Sequence, residues 1–344
     1  MTDNDEKVIE VLEACDRRRE ERRSFLRGSS SAAMAAAGAT LLGGCFGDDN
    51  DSNTPTPPPP PTSGPPPATP TPPPGPPPPS GTITDGDILN FALNLEYLEA
   101  QFYAFAAFGG GLPDSLLGGT GTRGGVTGGR KVPFVDSRIE LEAREIAMDE
   151  RAHVAFLRQA IGATAVAQPA LDISAEGAFS AAARAAGLIT AGQTFDPYAS
   201  EENFLLGAFI FEDVGVTAYK GASPLITSKV FLEAAAGILA AEAYHAGLIR
   251  AELYTKGIQT PSLIVATERI SDARDSLDDP SDKDQGVAPR GEQSNIVPSD
   301  ANGLAYSRSA GDVLNIVFLT AAAATQGGFF PVGLNGTIRT STAG

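Results

Sequence analysis

Two stretches decide how this chain folds: Ile-Ala-Met-Asp-Glu-Arg-Ala-His-Val-Ala-Phe-Leu at residues 146–157, and Ile-Leu-Ala-Ala-Glu-Ala-Tyr-His-Ala-Gly-Leu-Ile at residues 238–249. On a helix of 3.6 residues per turn, Ile146, Glu150, His153 and Leu157 share one face. Ile238, Glu242, His245 and Ile249 repeat the arrangement. The apolar members turn that face inward, so each helix carries a carboxylate and an imidazole in its core stripe. Two further stretches behave alike: Leu205, Ala208, Glu212 and Tyr219 align, as do Ala92, Glu96, Glu99, Tyr103 and Ala106. An unpaired carboxylate taken out of water costs several kcal/mol, because the apolar interior cannot replace its hydration. Four helices that each carry one inward need a common counter-charge, and metal cations are the simplest.

Outward from these stretches, the pattern predicts a helix over Asp85–Phe108, ended by Gly109-Gly110-Gly111. A Gly-rich loop with Pro113 and Pro133 fills 109–133, and loops of that length are often functional or crossovers. Helices follow over Asp136–Ala160, Ser200–Lys220 and Thr227–Lys256, with a short helical piece at Ala175–Leu188. No segment of strand period lies between them, which argues for an all-α four-helix bundle over 83–257. Residues 258–344 form a C-terminal extension packing on the bundle. It is expected to hold helices over 262–277 and 311–324, a polar loop to Ser309 and an irregular packed tail.

The 344 residues carry 25 basic and 42 acidic side chains, a net charge of −17. Such a chain is repelled by phosphate backbones, which excludes nucleic acid as a partner. No apolar run reaches the ~18 residues of a membrane span. The two cysteines, Cys15 and Cys45, both precede the bundle. A disulfide scaffold, a zinc–cysteine site and a cysteine nucleophile are thereby excluded. Of 27 prolines, 17 lie between Pro55 and Pro79. Residues 46–82 therefore read as a disordered Pro-rich linker, extended at about 3.1 Å per residue. Before it stand Arg22-Arg23-Ser24-Phe25-Leu26-Arg27, an Ala-rich run from Ala32, and Leu42-Gly43-Gly44-Cys45. A basic region, a short apolar region and small residues make an export signal. Residues 1–45 resemble a twin-arginine translocation signal ending in a lipobox. That resemblance implies lipidation of Cys45, a membrane tether, and a periplasmic or cell-envelope location. It also implies export of a folded chain that could take up metal in the cytoplasm.

Both histidines have a glutamate three residues earlier: Glu150-x-x-His153 and Glu242-x-x-His245. One such pair is most often a surface feature. Here there are two, and two lone glutamates each precede a tyrosine by seven residues: Glu96 before Tyr103, and Glu212 before Tyr219. The chain thus looks like two helix pairs, each giving one lone Glu and one Glu-x-x-His. In composition and chain order this resembles the ferritin-like di-metal carboxylate bundle. Asn-Leu-Glu-Tyr-Leu-Glu-Ala-Gln-Phe-Tyr at 94–103 is similar to the exported, desiccation-related branch of that superfamily.

The resemblance implies a four-helix bundle with a long crossover. It implies two iron or manganese ions held by Glu96, Glu150, His153, Glu212, Glu242 and His245. The chemistry implied is that of an oxidoreductase, acting on ferrous iron or on a small oxidant such as oxygen or peroxide. Tyr103, Tyr219, Asp149 and Glu99 are expected around the ligands, with facing solvent the alternative for Glu99; Asp213 is expected to face solvent or cap a helix. Ala241 stands where the motif carries an aspartate, so one supporting hydrogen bond is expected to be missing. No Cys-x-x-Cys centre is present. The stalk and extension oppose a closed 24-subunit shell, leaving a smaller homo-oligomer open. The rival reading is a non-catalytic protein that protects the envelope against drying or stress and keeps a structural or vestigial metal site.

Overall fold

A computed structural model describes residues 83–343; the signal expected at 1–45, with Cys45, and the linker expected at 46–82 lie outside the described residues. Helix α1 (Asp85–Phe108) begins where Thr84 and Asp87 cap each other reciprocally and ends at Gly109, whose φ of 80° an L side chain rarely adopts. Helix α2 (Ser137–Ile161) starts at Asp136, which accepts from the Arg138 backbone at 2.8 Å. A short α3 (Ser180–Ala185) follows, then α4 (Glu201–Ala222) and α5 (Lys229–Gln259), capped by Ser200 and Ser228. Glu201 does more than favour the first turn of α4. It accepts from the backbone N–H groups of Val135 and Asp136, both at 2.9 Å, and from Lys256 Nζ at 2.6 Å. One carboxylate thereby ties together the starts of α2 and α4 and the end of α5.

Side-chain pairings fix the helix directions. Tyr103 meets Glu212 while Tyr219 meets Glu96, so α1 and α4 run antiparallel. His153 meets Glu242 while His245 meets Glu150, so α2 and α5 do too. The pairs α1–α2 and α4–α5 are thus related by a near two-fold. The long crossover is the segment 162–200, whereas the Gly-rich loop joins the antiparallel neighbours α1 and α2. These two connections meet in a parallel pair of three-residue strands, β1 (Val126–Gly128) and β2 (Leu171–Ile173), with Val126 opposite Leu171. Three residues are too few to display a period of two, which is why no strand was legible.

The extension covers the α4–α5 pair with α6 (Pro261–Asp275) and α7 (Ala310–Phe318). Helix α7 stops short of the expected 324. Leu319 turns into the left-handed region at φ 57°, and the N–H of Thr320 bonds back to the Asn315 carbonyl at 3.0 Å. The tail then drives Phe329 and Phe330, both fully buried, into the core. Phe329 joins Phe179 and Phe211 with ring centroids 5.2 and 4.9 Å away. Among the described residues no helix is long and apolar enough to cross a membrane.

Candidate metal centre

At mid-bundle the six residues of the Glu/Glu-x-x-His pattern converge. Glu96 and Glu212 are 1% exposed, Glu150 and Glu242 fully buried, and the histidines only 8% and 5% exposed. His153 Nδ1 lies 3.2 Å from Glu96 Oε2, 3.4 Å from Glu242 Oε1 and 3.6 Å from Glu150 Oε2. His245 Nδ1 lies 3.0 Å from Glu150 Oε1 and 3.8 Å from Glu212 Oε2. The imidazole centroids are 6.1 Å apart. Two ligand groups result: Glu96, Glu150, His153 and Glu242, and Glu150, Glu212 and His245. In each, the donor atoms lie within 4.8 Å of one another. Glu150 belongs to both, with one oxygen directed to each histidine.

A decisive test of fit is which polar atoms lack partners. Glu96 Oε2, Glu212 Oε2, both oxygens of Glu150 and of Glu242, and Nδ1 of each histidine are buried without a hydrogen bond. Buried polar atoms are otherwise almost always paired, since each orphan keeps its full desolvation cost. Here the orphans face one another, which is what a set of ligand atoms looks like. By contrast, the outer oxygens are taken: Tyr219 donates to Glu96 Oε1 and Tyr103 to Glu212 Oε1. Each tyrosine serves the lone glutamate of the opposite helix, not its own. Burial and the adjoining glutamate raise both phenol pKa values well above the ordinary value, so the hydroxyls remain donors.

The electrostatics agree with the geometry. Burial pushes the Glu96 carboxyl up to about 7 and, with Glu242 and Glu150 beside it, holds Glu212 well above the carboxylate range. Burial and Glu242 push Glu150 up too, but His153 and His245 outweigh them and its pKa falls. Burial favours neutral rings, yet Glu96 and Glu150 raise His153 far above its ordinary value. Asp149, Glu150 and Glu212 likewise bring His245 to about 11. Protons thus provide part of the positive charge this cage demands. Carboxylate oxygens with two imidazoles suit iron or manganese over thiolate-seeking metals.

The remaining expected residues are placed as follows. Asp149 reaches across the bundle to His245 Nε2 at 3.4 Å rather than to His153 of its own helix. Ala241 is its mate under the two-fold and offers His153 no carboxylate. Glu99 does not face solvent. It is 7% exposed, and burial plus the charges of Glu242 and Glu150 raise its pKa strongly. Asp213 is not at the surface either. It is 5% exposed and clamped by Arg250 at 2.8 Å and Arg274 at 3.1 Å, because the extension covers that face of α4. Sequence reasoning also passed over Gly215. A Cβ there would sit 2.5 Å from Glu242 Oε2, so a side chain at this position would push the Glu242 carboxylate from its place. The signal was present: Gly215 stands in α4 where Glu99 stands in α1.

A bundle that gathers one lone Glu and one Glu-x-x-His from each of two helix pairs defines a ferritin-like protein. This chain belongs to that family: the ferritin-like domain matches residues 84–255. It is 33% identical over 264 residues to the desiccation-related protein PCC13-62 of Craterostigma plantagineum, covering 72% of this chain and 82% of the relative. It is 28% identical over 270 residues to the ferritin-like catalase Nec2 of Nesocodon mauritianus, covering 74% and 84%. It therefore stands with the desiccation-related branch. No solved structure matches it significantly.

Proposed function

We propose that this chain is an extracytoplasmic, lipid-anchored carboxylate protein that holds two iron or manganese ions and reacts with oxygen or peroxide. The observation that carries the reading is the convergence of eight unpaired ligand atoms, six carboxylate oxygens and two imidazole nitrogens, at one buried point. Two such ions supply one electron each, and so a two-electron exchange with a small oxidant. The protein's own part is to hold and orient. Glu150 spans both halves, Tyr103 and Tyr219 fix the lone glutamates, Asp149 steadies His245, and the apolar surround keeps bulk water out. The relative named as a catalase favours peroxide as the oxidant. The relative named as desiccation-related favours the rival, a protective protein whose metal site has no turnover. Metal analysis of the chain recovered from its own compartment, followed by peroxide and oxygen turnover, separates them. The proposal expects stoichiometric iron or manganese and turnover that Glu150→Gln abolishes. Bound metal with no turnover would leave the protective reading, and no bound metal would end both metal readings. Mass spectrometry of Cys45 tests the anchor.

A further inference from the structure

The four long helices are covered unequally. Of the 24 residues of α1 and the 22 of α4, 17 are buried in each, against 9 of 25 in α2 and 10 of 31 in α5. The α1–α4 side is sealed by aromatic rings. Phe102 of α1 and Phe211 of α4 meet with centroids 5.5 Å apart, and Phe179 of the crossover and Phe329 of the extension lie against them. Solvent therefore approaches the cage along the seam between α2 and α5. The exposure of the candidate ligands agrees. The side chains of the four glutamates are at most 2% exposed, whereas those of His153 and His245, which stand on α2 and α5, keep 11% and 6%.

Within that seam the near two-fold breaks. The step of 92 residues that takes Glu150 to Glu242 and His153 to His245 takes Asp149 to Ala241. Asp149 stands 3.4 Å from His245 Nε2 and covers that ring. Ala241 offers only a methyl group in the matching place. Nε2 of His153 has no hydrogen-bond partner among the described residues, and His153 is the more exposed of the two rings. At the rim, Asp149 keeps 28% of its side chain exposed, and a carboxylate there draws cations toward the gap. We propose that the α2–α5 seam beside Ala241 is the doorway through which a divalent cation reaches the ligand cage. What the cation does once inside rests on the metal-binding function proposed above. The doorway itself rests on where α2 and α5 leave the imidazoles uncovered.

Stopped-flow mixing of the metal-free chain with cobalt(II), followed through the visible absorption of the bound ion, tests this. A plug in a doorway raises the barrier in both directions, so entry and exit slow by the same factor and the equilibrium stays where it was. Ala241→Leu is expected to slow cobalt uptake, and cobalt removal by excess chelator, several-fold each, at unchanged metal content and affinity. Ala236→Leu, the same change on the exposed face of α5, should load like wild type. Ala241→Val, a smaller plug, should fall between, and it carries the test if Ala241→Leu does not fold. A bundle that is merely loosened opens more often and loads faster, so damage to the fold would act in the opposite direction. Uptake by the Ala241 variants as fast as by wild type overturns the proposal. So does slowing that comes with weakened affinity, since the substitution would then have altered the cage and not the way in. Cobalt that binds none of these chains would overturn the metal reading, and the doorway with it.

Discussion

Glu150 is the side chain shared by the two candidate ligand groups, so under the proposed reading its loss should disturb both. Glu150→Gln is therefore expected to lower metal content at both positions, whereas Glu212→Gln should leave the Glu96–His153 half loaded. Metal-to-protein ratios of the two purified variants check this, and equal losses would contradict the shared role. The protonation states give a second expectation. Glu96 has a folded pKa of about 7 against an ordinary 4.5, so the metal-free fold binds its proton more tightly than the unfolded chain does. Stability from this group is intact below about 4.5 and falls as pH rises to 7. His245, raised from 6.5 to about 11, adds stability that is complete below 6.5 and lost on the way to 11. Cations that replace those protons should widen the Tm gap between loaded and metal-free protein steadily from pH 4.5 upward. A gap independent of pH would refute it. At this scale the convergence of the six buried Glu and His side chains was legible, because a charged group at core spacing contradicts its own helix. Gly215 was passed over, because an absent side chain shows only when α4 is aligned on α1 and Glu99 finds no counterpart.

Helix ends obey local chemistry, so the four long helices, expected from Asp85, Asp136, Ser200 and Thr227 with the first ended by the glycine at 109, lie within a few residues of those bounds. Their seams with the extension depend instead on close backbone approach. Arg308 donates its backbone N–H to the Thr217 carbonyl of α4 at 3.0 Å, and a Cβ on Gly221 would overlap the Arg308 carbonyl. Gly221→Ala must push that strand of the extension off the helix, at a cost of about 1–3 kcal/mol. Gly237 on the exposed face of α5 meets nothing within 4 Å. Gly237→Ala should stabilise by about 0.5–1 kcal/mol, since alanine has the better helix propensity. Urea unfolding of the pair checks both signs, and a Gly221→Ala variant as stable as wild type would mean that the seam is not held as described. The same distinction explains α7. Residues 321–324 are alanines that composition reads as helix, but the chain has already turned at Leu319 because Thr320 N–H has bonded back to Asn315.

Across the whole molecule, the bundle and extension are joined by buried charge as well as by apolar packing, and this joint was the part least visible in sequence. Arg250, fully buried, holds Asp213 and donates to the carbonyls of Gln285, Gly286, Asn295 and Ile296, each at 2.7 Å. Arg308 spans Asp278, at 2.8 Å, and Asp284, while also reaching Thr217 Oγ1 on α4 at 3.0 Å. Arginine–carbonyl contacts follow no heptad, strand or motif spacing, so a loop that is polar by composition is in fact an interior. Removing one member of such a network strands the others, which typically costs about 3–5 kcal/mol. Arg308→Ala should therefore destabilise the whole chain by that amount in urea. Burial raises the Asp278 carboxyl to about 6 even with Arg308 present. Without the guanidinium it should hold its proton to still higher pH, so the loss should shrink as pH falls below 6, where Asp278 is already neutral in the wild type. A loss under about 1 kcal/mol, or one that grows toward acid pH, would show that the extension rests on its apolar contacts alone.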